Sequence, residues 1–307
     1  MSLSRPDFPR VIDNSMRTTF VSCPQKFNLN YMQNWVPGRT NEHLQAGAAF
    51  AHGLEIARFA YFDHGKTQSE AVELGWRAIV EDYGRYDAEY SNNAGYDTHK
   101  TCERMAGALL YYFDVWPFES DFLVPVRIGD RLGVEVSFTL PIDLPHPQTG
   151  DPLLYYGRFD MLAQHRQSGE FYMDDEKTAS QLGNSWVKQW RLASQFTGYA
   201  WAMQEMGYPV TSGIVRGISI LKTGYNHGQA LVQRPKFLIE RWYEQLLRDI
   251  KKMIECWDTG YFDHNYGPSC SAYGNCSFLD VCAAQNPEAW LADSFTQRIY
   301  APWEKPA

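Results

Sequence analysis

The stretch Gly157-Arg158-Phe159-Asp160, followed by Met173-Asp174-Asp175-Glu176-Lys177-Thr178, decides how the rest of this chain is read. Residues 155–163 are rich in aromatic and apolar side chains. Residues 164–170 are polar and contain Ser168-Gly169, a turn signal between two runs of strand length. The pattern predicts two adjacent antiparallel strands, one carrying Asp160 and the other Asp175 and Lys177. Such strands lie about 5 Å apart, so one carboxylate from each can hold a single metal ion. Asp175 and Lys177 are two apart and point to the same face. Two carboxylates and a lysine facing one point suit metal-assisted attack of water on a phosphodiester. The metal polarises the phosphoryl oxygen and acidifies the water, while the ammonium orients the water or stabilises the developing charge.

The totals frame this site without deciding it. A chain of 307 residues can bury a substantial core, and 44% apolar with 21% charged residues is an ordinary globular composition. No apolar run of membrane-spanning length and no secretory start is found, so an intracellular, cytoplasmic protein is expected, with no membrane partner. The net charge of -8 weighs against a nucleic-acid partner. Distribution softens that objection: residues 209–239 carry Arg216, Lys222, Arg234 and Lys236 without an acid, and the first forty residues are also cation-rich. A Walker A phosphate loop is absent, which excludes a fused helicase in this chain.

Taken in order, the remaining motifs arrange themselves around the hairpin. Ser15 is the expected cap of a first helix that ends or bends at Cys23-Pro24. Residues 42–62 have a helical pattern that includes Gly47-Ala48-Ala49-Phe50-Ala51-His52-Gly53-Leu54-Glu55. Residues 67–90 and 99–115 read as surface helices separated at Asn92-Asn93-Ala94-Gly95. Residues 122–128 and 132–140 read as strands about a Gly129-Asp130-Arg131 turn, with Glu135 on the second. A single helix is expected over 184–206, placing Gln195 and Tyr199 four apart on one face. Strands are expected over 210–221 and 229–239 about Gly224-Tyr225-Asn226-His227-Gly228, the second at a sheet edge because of Pro235. A charged helix follows over 239–258. Cys270, Cys276 and Cys282 are evenly spaced, which in a cytosolic chain argues for metal rather than disulfides. Cys23 is the natural fourth thiolate.

The G-x-x-D and D-x-K-T arrangement resembles the PD-(D/E)XK nuclease superfamily, and most closely its RecB-type branch of CRISPR spacer-acquisition and phage-encoded exonucleases. The resemblance implies an α/β fold: a restriction-endonuclease-like core with a central mixed sheet flanked by helices. It also implies one nuclease domain over 1–307, with a helical insertion at 63–120 and a cysteine-bearing C-terminal segment at 259–307 that packs on the N-terminus. His52, Asp160, Asp175 and the Glu176 carbonyl would bind Mn²⁺ or Mg²⁺, the imidazole favouring manganese. Glu135 would add a further acid, Lys177 would act on the attacking water, and Gln195 and Tyr199, matching the family's Q-x-x-x-Y element, would position the DNA strand. Cys23, Cys270, Cys276 and Cys282 resemble the layout that holds a [4Fe–4S] cluster, with structural Zn²⁺ as the alternative. Their spacing departs from the spacer-acquisition enzymes, which usually have two residues rather than five between the first two late cysteines. The expected activity is DNA-end hydrolysis in recombination or repair, with a recombination or annealing protein as a further partner and room for an oligomer. An inactive nuclease-fold DNA-binding subunit and a structure-specific endonuclease are the alternatives.

Overall fold

The computed structural model describes residues 6–38, 42–90, 100–271 and 275–304. In chain order its first elements are β1 (Val11–Asp13), α1 (Asn14–Ser22), α2 (Pro24–Phe27), β2 (Trp35–Pro37), α3 (Glu42–Phe62), α4 (Gln68–Tyr90) and α5 (Cys102–Val115). Then come β3 (Leu123–Pro125), β4 (Arg127–Ile128), β5 (Arg131–Leu132), β6 (Val134–Pro145), β7 (Pro152–His165) and β8 (Phe171–Ala179). The rest are α6 (Asn184–Gln189), α7 (Ser194–Glu205), β9 (Ser212–Ile220), β10 (Tyr225–Gln233), α8 (Lys236–Thr259), α9 (Pro268–Ser271), α10 (Leu279–Ala283), α11 (Pro287–Ser294) and β11 (Phe295–Gln297). The architecture is the expected mixed α/β one. Two compact units divide it, one of residues 1–40, 137–157 and 240–307, the other of residues 41–136 and 158–239.

In the second unit the strands run in the order β7-β8-β9-β10, with β3 on the other edge of β7. β8 is antiparallel to β7 and parallel to β9, and β10 returns antiparallel at the end of the order. One face packs on α3, α4 and α5 through a core that includes Leu54, Ala57, Ile79, Leu109, Tyr112 and Ile218. The two long helices touch backbone to backbone: a methyl added at Gly75 would run into the Gly53 carbonyl. The opposite face carries α6 and α7. Gly217 is the seat for α6, since a Cβ there would lie 2.5 Å from the Trp186 ring.

In the first unit, β1 runs parallel to the start of β7. β11 pairs antiparallel with β2, and Leu29, Phe278, Val281 and Leu291 form a small core. Arg17 of α1 and Asp249 of α8 make a buried ion pair 2.8 Å long.

Several boundaries differ from expectation. Asp13, not Ser15, caps α1, its carboxylate accepting the Met16 N–H over 2.8 Å. The single helix expected over 184–206 is two helices, because the carbonyls of Trp190, Arg191 and Ala193 are taken by the Arg234 side chain instead of the next helical turn. The β9–β10 turn falls at 221–224, so Tyr225 to Gly228 are already strand, and Pro235 lies beyond its end. The break expected at Asn92-Asn93-Ala94-Gly95 lies outside the described residues.

Candidate active site

Strand alternation divides β8 into two chemistries. Asp174 and Glu176 point toward α3 and α5, while Asp175 and Lys177 share the other face with Asp160 of β7. Lys177 Nζ donates to Asp175 Oδ2, and the Glu176 N–H donates to Asp160 Oδ2 over 3.1 Å. Asp175 is 2% exposed, and its Oδ1 has no hydrogen-bond partner among the described residues. The Lys177 side chain keeps 28% of its surface in solvent, so the pair opens outward at the ammonium.

Glu135 of β6 completes the group from the other side of β7. Arg158 Nε lies 3.0 Å from Glu135 Oε2. Glu135 has φ +49°, a left-handed conformation that non-glycine residues adopt at a cost and that concentrates at functional sites. Burial, reinforced by the Asp160 charge, outweighs Arg158 and pushes its carboxyl up to about 8, with Glu55 of α3 adding to the repulsion. Asp175 is driven well above the carboxylate range by burial and by Asp160, against the pull of Lys177. Burial works against the Lys177 ammonium too, but Asp175 and Asp160 overcome it and hold the proton on.

Facing acids this buried are compensated either by protons or by a cation. The orphaned Asp175 Oδ1 and an all-oxygen donor set fit a hard divalent ion. Among the described residues, no group of three or more His, Cys, Asp or Glu is gathered so as to hold a metal by itself.

The reverse face of β8 holds a buried ionic cluster. Arg58 of α3 grips Glu176 through two guanidinium nitrogens and also reaches the Tyr112 hydroxyl at 3.2 Å. Arg216 of β9 pairs with Asp121 at 2.6 and 2.8 Å and approaches Asp174 at 3.3 Å, with its guanidinium over Trp116. Burial disfavours the Glu176 charge, yet Arg58 more than offsets it and holds the carboxyl below its ordinary value. The middle residue of Asp175-Glu176-Lys177 is thereby locked on one side while its neighbours are presented on the other.

His52 pairs with a carboxylate of α4. Its Nδ1 lies 2.5 Å from Asp82 Oδ2, and its ring lines a hollow with Gln45, Glu81 and Arg85 that none of Glu135, Asp160 and Asp175 lines. The cause is the tight α3–α4 crossing, which brings a carboxylate of α4 alongside the imidazole. Two other α3 residues act on the hairpin acids indirectly: Glu55 adds negative charge around Glu135, and Arg58 grips Glu176 from the reverse face of β8. They went unread in the sequence, although they lie three and six residues beyond His52. Gln195 and Tyr199 do meet, the amide donating to the hydroxyl over 2.7 Å, and Tyr199 packs edge-on to Phe159. The cationic stretch 209–239 differs from expectation: Arg216 and Arg234 are fully buried and committed to carboxylates and carbonyls, so neither is available to phosphates.

Cys23, Cys270, Cys276 and Cys282 line one cavity of about 160 Å³ in the first unit. Burial, then the other three sulfurs, push the Cys282 thiol up. The metal-holding geometry that is absent among the described residues is absent here as well.

A PD-(D/E)XK nuclease superfamily model matches residues 15–283, and the chain belongs to that superfamily. Its class is therefore that of nucleases, hydrolases acting on nucleic acid with DNA as the general substrate, members of which generally use Mg²⁺ or Mn²⁺. Among solved structures, SSO0001 is similar at 15% identity, covering 66% of this chain and 80% of that one, with a TM-score of 0.30. No curated protein matches the chain. No helix among the described residues is long and apolar enough to cross a membrane.

Proposed function

We propose that the chain is a metal-dependent DNA exonuclease of the RecB-type branch, hydrolysing phosphodiester bonds at DNA ends during recombination or repair. The observation that carries this is the convergence of Asp160, Asp175 and Lys177 on one face of the β7–β8 hairpin, with Asp175 Oδ1 left without a partner. Asp160 and Asp175 hold Mn²⁺ or Mg²⁺, with Glu135 beside them and the Glu176 carbonyl as a further oxygen donor. The bound cation supplies charge neutralisation and acidified water. Lys177, kept protonated by its acid neighbours, orients the attacking water and stabilises charge on the phosphoryl oxygens. Gln195 and Tyr199, hydrogen-bonded as a unit at the start of α7, steady the strand being cut.

The four thiols sharing a cavity support a structural role for Cys23, Cys270, Cys276 and Cys282 in holding a [4Fe–4S] cluster, with Zn²⁺ as the alternative. Such a group would tie the start of the chain to its end and take no part in hydrolysis.

The test is digestion of end-labelled single- and double-stranded DNA with Mn²⁺, beside a closed circle and the Lys177→Ala variant. Release of labelled nucleotides from linear DNA alone, lost in the variant, is the expected result. Cutting of the circle would overturn the exonuclease assignment, and no cleavage of any substrate would overturn the catalytic one. A brown preparation absorbing in the visible blue is the expected sign of the cluster, and a colourless one would overturn it.

A further inference from the structure

The α6–α7 connection is exposed, cationic and rigid, and nothing in the proposed catalysis uses it. Residues 178–204 contain no acid at all in a chain of net charge -8. Lys188 and Arg191 lie exposed on this stretch, and neither makes an ion pair among the described residues. Directly beside them in the chain stand two large apolar side chains in solvent, Val187 before Lys188 at 42% and Leu192 after Arg191 at 74% exposure.

An exposed loop with this composition would ordinarily be loose, but this one is clamped. Arg234, fully buried and without a carboxylate partner among the described residues, donates to the carbonyls of Trp190, Arg191 and Ala193 over 3.0–3.2 Å and to Thr197 Oγ1 over 2.8 Å. Trp190 is wedged edge-on between Trp186 and Phe196. Burying a guanidinium against neutral oxygens costs free energy. Here that cost holds one short loop in one conformation.

The loop also stands on the correct face. Trp186 of α6 covers Gly217, and Gly217 is the register partner of Lys177. On its other side the loop runs directly into Gln195. Two exposed cations next to a clamped apolar projection suit the end of a DNA duplex, with phosphates on the cations and the outermost base pair against the apolar tip.

We propose that residues 187–192 are the surface that grips the DNA end, Lys188 and Arg191 holding backbone phosphates and Leu192 abutting the terminal base pair. This rests on the nuclease assignment. The exposed positions tolerate substitution without loss of fold, so Lys188→Ala/Arg191→Ala, Leu192→Ala and the triple variant are the reagents. Binding is read by fluorescence anisotropy of the full chain, with Ca²⁺ replacing Mn²⁺, on a hairpin with one open end and on a dumbbell closed at both ends. The double variant is expected to weaken both DNAs about ten-fold and to reduce the salt slope by about 2, one per lost phosphate contact. Leu192→Ala is expected to weaken the open hairpin several-fold and leave the dumbbell unchanged. A triple variant that binds the open hairpin like wild type overturns the proposal, and equal weakening of both DNAs by Leu192→Ala overturns its end-recognition half. If wild type degrades linear DNA while the triple variant binds normally, the loop assignment alone falls. If wild type neither binds nor degrades DNA, the nuclease assignment falls and takes the loop with it.

Discussion

The backbone N–H of Glu176 donates to Asp160 Oδ2 over 3.1 Å, so the residue between Asp175 and Lys177 on β8 also aims the carboxylate of β7. Glu176 is in turn held by Arg58, which is 4% exposed. The face that carries Asp160, Asp175 and Lys177 is thus set from the opposite face of the sheet.

Breaking that grip is predicted to be costly. Arg58→Met leaves the Glu176 carboxylate buried without its guanidinium and held by the Tyr112 hydroxyl, at about 3–5 kcal/mol. Arg58→Met/Glu176→Leu replaces both partners with apolar groups and is expected to recover most of the loss. Urea denaturation of the three proteins checks this, and a double variant no more stable than the single one would refute it.

Lys177→Ala is predicted to reduce single-turnover cleavage by about 10²–10³-fold, the usual cost of losing one group that stabilises developing charge. Asp175→Asn should abolish metal-dependent cleavage yet raise the melting temperature of the metal-free protein. The native carboxylate is buried beside Asp160 with only Lys177 to offset it. Melting curves with and without Mn²⁺ separate the two effects, since the rise with Mn²⁺ should vanish in the variant.

Glu135 gives the metal-free protein a predicted pH dependence. Its folded carboxyl sits at about 8 against an ordinary 4.5, so the folded state binds the proton more tightly than the unfolded one. Stability from this group is fully present below pH 4.5, falls as pH rises toward 8, and changes no further above it. Mn²⁺ binding should expel the same proton, so affinity should tighten from pH 6 to pH 9. Calorimetry in two buffers of different ionisation heat measures the protons released, and Glu135→Gln should lower that release while leaving the share from Asp175, which burial and Asp160 also drive up.

Gly75→Ala is predicted to destabilise by about 1–3 kcal/mol through overpacking at the α3–α4 crossing, because its methyl meets the Gly53 carbonyl rather than a movable side chain. The shift should appear in the denaturation midpoint. Gly47→Ala is the control, as a Cβ there meets nothing within 4 Å.

The hairpin of Asp160, Asp175 and Lys177 was legible because strand alternation is a local property, and so was the Gln195–Tyr199 pair, set by the helical repeat. The α6–α7 break was not legible. The residue that makes it, Arg234, lies some forty positions downstream and read simply as a cation. The pairing of His52 was not legible for a similar reason: helical spacing gives the direction of a side chain but not the neighbouring helix that presents Asp82.

The amino-acid order alone determined the mixed α/β plan and which acids and lysine share a strand face, because periods of two and 3.6 residues are written into the chain, and its G-x-x-D and D-x-K-T motifs carried the resemblance to the superfamily. Only the tertiary structure decided which charges are spent inside and which remain for a substrate. Arg58, Arg216 and Arg234 are consumed by buried partners, whereas Lys188 and Arg191 stay in solvent. Burial and pairing depend on contacts between residues remote in sequence, and composition carries no record of them.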